Sequence, residues 1–246
     1  MRWLKAELHS HCDLDPVDFR ICAYSAEDLI REAARLKYEV LAITCHNLDV
    51  WNPGLDEFAA SHGITLIPAM EVVTRDRKHV LVYNFRTGSD HLDTLSKIAA
   101  HKRQDTLVIA PHPYYPARSC LRRQLDQNLE LFDAVETSGF FTARLDFNRR
   151  ARRIAERHGK PVVGASDAHQ LWQLGRTFTR VLADPEVPSI LAAIRAGRVK
   201  VEATPLQFGE VVTWWCSALW RAVTNARAHP AALRSARQAK TRHGEA

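Results

Sequence analysis

Histidines and carboxylates recur in this sequence where short apolar runs end. The residues that follow such runs are His9, His11, His46, Glu71, His112, Asp167 and His169. In a parallel α/β barrel every strand ends on the same face, so side chains that are distant in sequence converge there. Imidazole together with carboxylate suits zinc, manganese or iron, whereas calcium and magnesium prefer oxygen ligands. The pattern therefore predicts a metal centre at the strand ends.

The spacing of His9 and His11 is informative within a strand. Residues i and i+2 of a strand point to the same side, so these two imidazoles can bind one ion together. Glu71 and Asp167 would complete a set of four ligands.

His79 differs from the other histidines because it precedes its apolar run. If residues 71–74 and 78–83 form a hairpin that turns at residues 75–77, Val73 faces His79 and Glu71 lies diagonally beside it. His79 is then within reach of a metal shared with Glu71.

Short apolar runs supply the strands that would carry these side chains. They lie at residues 40–44, 64–68, 80–83, 107–110, 134–135 and 162–165. Continuous hydrophobicity indicates strands buried on both faces, as in a parallel sheet. Residues 25–37, with Ser25 as the N-cap, and residues 144–158 are the clearest amphipathic helices. Strand and helix alternate about seven times, which favours a closed α/β barrel.

The composition is that of a globular protein. The chain has 246 residues, of which 46% are hydrophobic and 25% charged. No apolar stretch reaches the ~20 residues needed to span a bilayer, and Lys5 and Glu7 interrupt any secretory signal at the N-terminus. The cysteines are scattered and lack a CxxC pair, which argues against disulfides and a thiolate zinc site. We expect a soluble protein in a reducing compartment, the cytoplasm.

The pattern changes towards the C-terminus. We expect one domain over residues 1–205 and a Trp-containing helical segment with a basic tail over residues 206–246. Residues 208–223 contain Trp214, Trp215 and Trp220, and an aromatic stripe at helical spacing is typical of a face docked on a barrel. The tail contributes much of the net charge of +6. A solvated tail is the simplest interpretation, and a weak contact with nucleic acid or an anionic surface is the alternative.

Five segments in order are similar to motifs of one known family. They are ELHSH at 7–11, AITCHN at 42–47, AME at 69–71, APHP at 110–113 and GASDAH at 164–169. Together they resemble the PHP (polymerase and histidinol phosphatase) superfamily of metal-dependent phosphoesterases. The resemblance implies a distorted seven-stranded (β/α)7 barrel, which the helical segment at the C-terminus would extend. It also implies two or three divalent ions, for which manganese, zinc or iron suits the ligands.

The resemblance implies an assignment of ligands to three ions. The first would be held by His9, His11, Glu71 and Asp167. The second would be held by a bridging Glu71 with His79 and His112. The third would be held by His46, His169 and an acidic residue of the first loop.

Two departures from the family pattern affect the third ion. Family members commonly have Thr-Asp-His where this chain has Cys45 before its histidine. The first loop lacks the usual Ser-Asp-Gly, which leaves Asp13, Asp15 and Asp18 as candidates. We prefer Asp15, followed by Asp18.

The resemblance implies hydrolysis of a phosphomonoester or phosphodiester by metal-activated water, with Glu71 and Asp167 at the reacting centre. The substrate would be a small phosphorylated metabolite, a nucleotide or an oligonucleotide. Arg118 and Arg176 follow two of the strand ends and could clamp a phosphate.

Two alternatives to the phosphoesterase remain open. An amidohydrolase-like enzyme would need a bridging carboxylated lysine near midchain, and neither Lys78 nor Lys102 is at the right kind of strand end. A non-catalytic metal-binding module would instead dock a partner or a membrane through the Trp-rich segment and the basic tail.

Overall fold

The structure is a computed structural model, and it describes residues 1–224. Strands and helices alternate along most of this part of the chain. The strands are β1 (Arg2–Glu7), β2 (Val40–Ala42), β3 (Thr65–Ile67), β4 (Ala69–Val73), β5 (His79–Tyr83), β6 (Leu107–Ala110), β7 (Ala134–Ser138), β8 (Val162–Ala165), β9 (Thr177–Ala183) and β10 (Val199–Ala203). The α-helices are α1 (Ala26–Arg35), α2 (Pro53–Ser61), α3 (Leu95–His101), α4 (Arg123–Gln127), α5 (Asn148–Arg157), α6 (Val187–Arg195) and α7 (Phe208–Thr224).

The strands form two five-stranded mixed sheets, so the predicted closed seven-stranded barrel is wrong. The first sheet has the order β10-β9-β1-β2-β3 and the second β4-β5-β6-β7-β8. A closed parallel barrel would pair β1 with the last parallel strand, but the antiparallel strand β9 occupies that edge of β1. The apolar runs did not predict β9, because Thr177, Thr179 and Arg180 interrupt its apolar residues.

Between β8 and β9, a side chain makes the hydrogen bonds that the backbone of a paired strand would otherwise make. The Gly164 amide donates to Thr179 Oγ1, and this hydroxyl donates to the Gly164 carbonyl, both at 2.8 Å. Both polar backbone groups of Gly164 are thus satisfied without a continuous strand pair. A side chain at position 164 would clash, since a Cβ there lies 2.6 Å from Val201. This close approach explains the glycine.

Strands such as β2, β6 and β7 are buried on both faces, which explains the continuous apolar runs. Alternate residues from both sheets, such as Leu4, Ile67, Leu81 and Ile109, form one shared core. Helices α1 and α2 pack on the outer face of the first sheet, and α3, α4 and α5 on that of the second.

Two local predictions are confirmed and one boundary is corrected. Ser25 caps α1 in a reciprocal capping box. The β4–β5 hairpin has the predicted register, with Val73 opposite His79. Helix α5 begins at Asn148 rather than at 144, because the Asp146 carboxylate accepts the Asn148 amide and caps the helix there.

Helix α7 lies against the strand-end loops. The Trp214 ring is 5.0 Å from that of Phe140, whereas Trp215 and Trp220 are 60% and 70% exposed. The docked face that the aromatic stripe predicted therefore includes Trp214 but neither Trp215 nor Trp220. The basic tail lies mostly outside the described residues. Within those residues, no helix is both long and apolar enough to cross a membrane.

Candidate metal centre

The structure brings the seven strand-end residues and His79 together in one cluster. His9 and His11 follow β1, and the His11 amide donates to the carbonyl of Ala168 beyond β8. This bond joins the first and last ligand segments. Asp167 and His112 have positive φ angles of 52° and 28°. Such left-handed backbone is costly for these residues and is held by the surrounding loops, as is common at functional sites.

His9 and His11 are each held by a carboxylate on the ring nitrogen that faces away from the cluster. His9 Nδ1 lies 2.8 Å from Glu136 Oε2, and His11 Nδ1 lies 2.7 Å from Asp15 Oδ2. In the neutral form of each ring, Nδ1 therefore carries the proton and the Nε2 lone pair is free. Both Nε2 atoms are buried without a hydrogen-bond partner, and each lies 3.3 Å from Asp167 Oδ1.

Glu71 lies at the middle of the cluster, with its two oxygens facing different histidines. Oε1 is 2.8 Å from His79 Nδ1 and 3.3 Å from His112 Nε2. Oε2 is 3.0 Å from His46 Nε2 and 3.5 Å from His9 Nε2. A carboxylate with this geometry can bridge two ions.

Two aspartates of the first loop contact the histidines. Asp15 is fully buried, and its Oδ2 lies 2.7 Å from His11 Nδ1 and 2.9 Å from His46 Nδ1. Asp18 Oδ2 lies 3.0 Å from His169 Nε2 and 3.6 Å from His46 Nδ1. Asp15 thus orients imidazoles, while Asp18 faces the two histidines that the resemblance assigns to the third ion.

Opposite charges in the cluster stabilise one another, and this attraction outweighs the effect of burial on their pKa values. Burial alone would raise the pKa of Glu71, but the facing His79, His9 and His46 outweigh it and hold that pKa well below its usual value. Burial likewise opposes protonation of His46 and His169. The carboxylates of Glu71 and Asp15 nevertheless raise the pKa of His46 to about 11, and those of Asp18 and Asp167 raise that of His169 to about 9. Glu71 is therefore ionised, and the imidazoles of His46 and His169 hold protons that a metal ion would displace.

Glu136 is a site residue that the sequence interpretation missed. It is completely buried on β7, where its Oε2 bonds His9 Nδ1 and its Oε1 accepts the His112 amide at 3.2 Å. A signal was present in the sequence, since a glutamate within a buried strand needs a partner.

Three residues that the sequence analysis singled out lie at the edge of the cluster or outside it. Arg118 is exposed, and Arg176 forms an ion pair with Glu210 of α7. Cys45 is buried with its Sγ 3.5 Å from Cys12 Sγ, so it packs into the core beside α1.

The residues fit a divalent metal. The unpartnered Nε2 atoms of His9 and His11 are buried lone pairs aimed at carboxylate oxygens, the arrangement that an ion completes. Triads of ligand atoms from the cluster lie within 4.8 Å of one another. They are His9–His11–Glu71, His9–His112–Asp167, His11–Asp15–His46, His11–Asp167–His169 and His46–Glu71–His79. Fold and site together define a metal-dependent hydrolase.

Comparisons with known proteins agree with this class. A family model described as PHP-associated matches residues 146–199. The chain is 24% identical over 183 residues to the uncharacterized protein MJ0417 of Methanocaldococcus jannaschii, covering 72% of this chain and 70% of that protein. PsfC of Pseudomonas syringae shares the fold, with a TM-score of 0.59, 17% identity and coverage of 90% of this chain and 98% of PsfC.

Endonuclease Q, solved with a 27-mer duplex substrate carrying an abasic lesion, also shares the fold. Its TM-score is 0.59 at 17% identity, with coverage of 93% of this chain and 74% of that chain. The matched family model and these shared folds agree with the resemblance to the PHP superfamily that the sequence motifs carry.

Proposed function

We propose that this metal-dependent hydrolase is a phosphoesterase that hydrolyses a phosphomonoester or phosphodiester. The supporting observation is the position of Glu71, whose two oxygens face two different groups of histidines. A carboxylate shared between ions is typical of sites with several metals, which suit the charge of a phosphoryl group. Manganese, zinc or iron would suit the donor atoms.

We assign the ligands as the family resemblance implies, with one change. His9, His11, Glu71 and Asp167 would hold one ion, and a second would bind between Glu71, His79 and His112. For the third, beside His46 and His169, we favour Asp18 over Asp15, because the Asp15 carboxylate is already used by the rings of His11 and His46 and by three backbone amides.

The side chains contribute orientation and charge to the reaction. When bound, divalent ions supply the Lewis acidity that lowers the pKa of water and neutralises phosphoryl oxygens. Glu136 and Asp15 hold His9 and His11 in the tautomer with the proton on Nδ1. Asp167, with its carboxylate between these two imidazoles, stays ionised. Its pKa is held well below the usual value because His9, His11 and His169 outweigh the cost of burial.

The lysines argue against an amidohydrolase with a carboxylated lysine. Lys78 Nζ donates to the carbonyls of Arg118 and Cys120 at 2.6 and 3.2 Å. Lys102 Nζ donates to the Leu131 carbonyl and contacts Asp133. Neither amine contacts the ligand cluster, so a bridging carbamate has no candidate among these two residues.

The test is metal analysis combined with hydrolysis by the full-length protein. Protein purified without chelator is expected to contain two or three divalent ions and to hydrolyse a phosphomonoester, a phosphodiester or an oligonucleotide. Asp167→Asn should lower kcat by roughly a thousandfold or more, because it removes a charge from the reacting centre. Asp184→Asn, an exposed aspartate paired with the N-terminal amine, is the matched control. A metal-loaded protein inert towards all three substrates would contradict the proposal.

A further inference from the structure

A cleft of about 480 Å³ lies at the amino end of α5, beside the metal centre. None of the proposed metal ligands lines it. We call it the α5 cleft. Its lining consists of Tyr114, Arg122, Asp146, Phe147, Arg149, Arg150 and Arg153. Arginines outnumber the single lining carboxylate, so the cleft is positively charged.

Much of this positive charge is not neutralised nearby. Asp146 is contacted at 2.5 Å by Arg152, which does not line the cleft, and at 3.9 Å by Arg149, which does. Arg150 pairs with Asp126 at 3.0 Å. Arg122 and Arg153 instead donate to backbone carbonyls in the part of the chain that the structure describes. Two exposed guanidinium groups therefore remain available to an anion.

The backbone of Arg122 is held in an unusual conformation. Its φ of 48° lies in the left-handed region, which is costly for a long side chain. Its amide donates to the Pro113 carbonyl at 2.8 Å, and its Nε and Nη2 donate to the Tyr115 carbonyl at 3.2 and 3.1 Å. These bonds fix the position of one cleft arginine relative to the loop that follows β6.

That loop also carries a proposed metal ligand. His112 begins it, and Tyr114 and Arg122 of the cleft follow. The Tyr115 ring lies 6.4 Å from the His112 ring and 5.3 Å from the Phe147 ring. A half-buried aromatic pair, Tyr115 and Phe147, therefore connects the metal centre with the cleft.

We propose that the α5 cleft is a second anion subsite, which binds a backbone phosphate of single-stranded nucleic acid while a neighbouring phosphate is hydrolysed at the metal centre. The inference rests on the proposed phosphoesterase function. Arginines beside aromatic rings suit a strand that presents phosphates and flat bases alternately. A metabolite with one phosphate would occupy the metal centre and leave the cleft without a role. Among the proposed substrates, the cleft therefore favours an oligonucleotide.

The test compares two double variants of the full-length holoenzyme. Arg122→Gln with Arg153→Gln removes the two available charges of the cleft. Arg157→Gln with Arg198→Gln removes two exposed charges that do not line it. Binding is measured by fluorescence anisotropy with a labelled, hydrolysis-resistant phosphorothioate single strand at several salt concentrations. The cleft variant should bind at least about tenfold more weakly, and the slope of log K against log salt should fall by roughly 0.7, the contribution of one lost phosphate contact on a single strand. The control should stay within about twofold of the native protein.

Hydrolysis then separates the cleft from the catalytic centre. The cleft variant should lose at least about tenfold more kcat/KM for a single-stranded oligonucleotide than for bis(p-nitrophenyl) phosphate. If the native protein hydrolyses small esters but does not bind the strand, or if both double variants lose affinity equally, the subsite is refuted while the phosphoesterase stands. An equal loss of affinity for a polyglutamate peptide would also refute it. Loss of strand binding by the cleft variant alone, with no hydrolysis by the native protein, would retain the subsite and refute the phosphoesterase.

Discussion

The metal centre and the α5 cleft lie at two ends of one loop, yet they are built in opposite ways. At the centre, buried imidazoles are each bonded to a buried carboxylate, as His9 is to Glu136. In the cleft the arginines are exposed, and among the described residues Arg122 and Arg153 donate to carbonyl groups rather than to carboxylates. The centre therefore consists of buried, mutually neutralising groups, whereas the cleft supplies exposed positive charge.

This difference predicts how each region responds to mutation. A buried ion pair that loses one partner leaves an uncompensated charge, which is strongly destabilising. An exposed arginine contributes a smaller, salt-dependent amount. Changes to the residues that support the centre should therefore have large effects that salt does not alter, and changes to exposed arginines should have smaller effects that salt reduces.

The largest expected effect in this comparison comes from Glu136→Gln. The neutral amide is a weaker acceptor for the proton on His9 Nδ1, so Nε2 becomes a poorer donor to a metal ion. Supporting carboxylates of this kind are typically worth about 10- to 100-fold in metal affinity. Competition with a metal-binding dye, at low and high salt, measures the change.

Glu202→Gln is the matched control, since Glu202 is an exposed glutamate on β10 that pairs with Arg180. Circular dichroism verifies that both variants are folded. Unchanged metal affinity in Glu136→Gln would show that the buried carboxylate does not support the centre.

A second prediction concerns pH. The pKa of His169 is raised to about 9 and that of His46 to about 11, so both imidazoles are protonated at pH 7 in the metal-free protein. A metal ion must displace these protons, so its affinity should rise by up to about tenfold per pH unit for each proton released as pH increases from 7 towards 9. In the cleft, arginine remains charged throughout this range, and strand binding should hardly change.

The stability of the metal-free protein should change in the opposite direction. Because the folded pKa values lie above the ordinary value of a histidine, the stabilisation is fully present below about pH 6.5. It is lost as pH rises through about 9 and then 11. For metal binding itself, calorimetric titration of the metal-free protein with the metal ion, in two buffers of different ionisation enthalpy, counts the protons that binding releases. Metal binding without proton release would show that these imidazoles are neutral before the metal binds.

Much of the centre could be predicted from sequence because its ligands follow apolar runs. Histidines after buried strands are recognisable in one sequence, and the hairpin that brings His79 to Glu71 follows from alternation alone. Glu136 was missed because a single glutamate in a buried strand resembles many structural residues. The choice between Asp15 and Asp18 depends on the path of the first loop, which no local pattern specifies.

The architecture was predicted less well than the site. Polar residues interrupt the first half of strand β9, so it does not form the continuous apolar run that marked the strands predicted from sequence. Its antiparallel pairing with β1 is a long-range choice that no local pattern reveals. The α5 cleft was missed for a similar reason, since its lining comes from the loop after β6 and the start of α5, which only the fold brings together.

The smallest expected effect tests the two arginines proposed as phosphate clamps. Arg118 is exposed, whereas Arg176 is held in an ion pair with Glu210. Removing a guanidinium that is already paired should reduce phosphate affinity less, because in the native protein phosphate binding would first have to break that ion pair. Arg118→Ala should raise KM for a phosphoester roughly threefold to tenfold, and Arg176→Ala less than about threefold. Both effects should decrease at high salt.

Glu210→Gln provides the control for Arg176, since it breaks the same ion pair and leaves the arginine in place. If the pair restrains Arg176, this variant should lower KM slightly rather than raise it. Equal increases in KM for Arg176→Ala and Glu210→Gln would instead assign the effect to the contact with α7. A KM that neither arginine variant changes would remove both residues from phosphate binding and leave the buried centre as the main source of affinity for a small phosphoester.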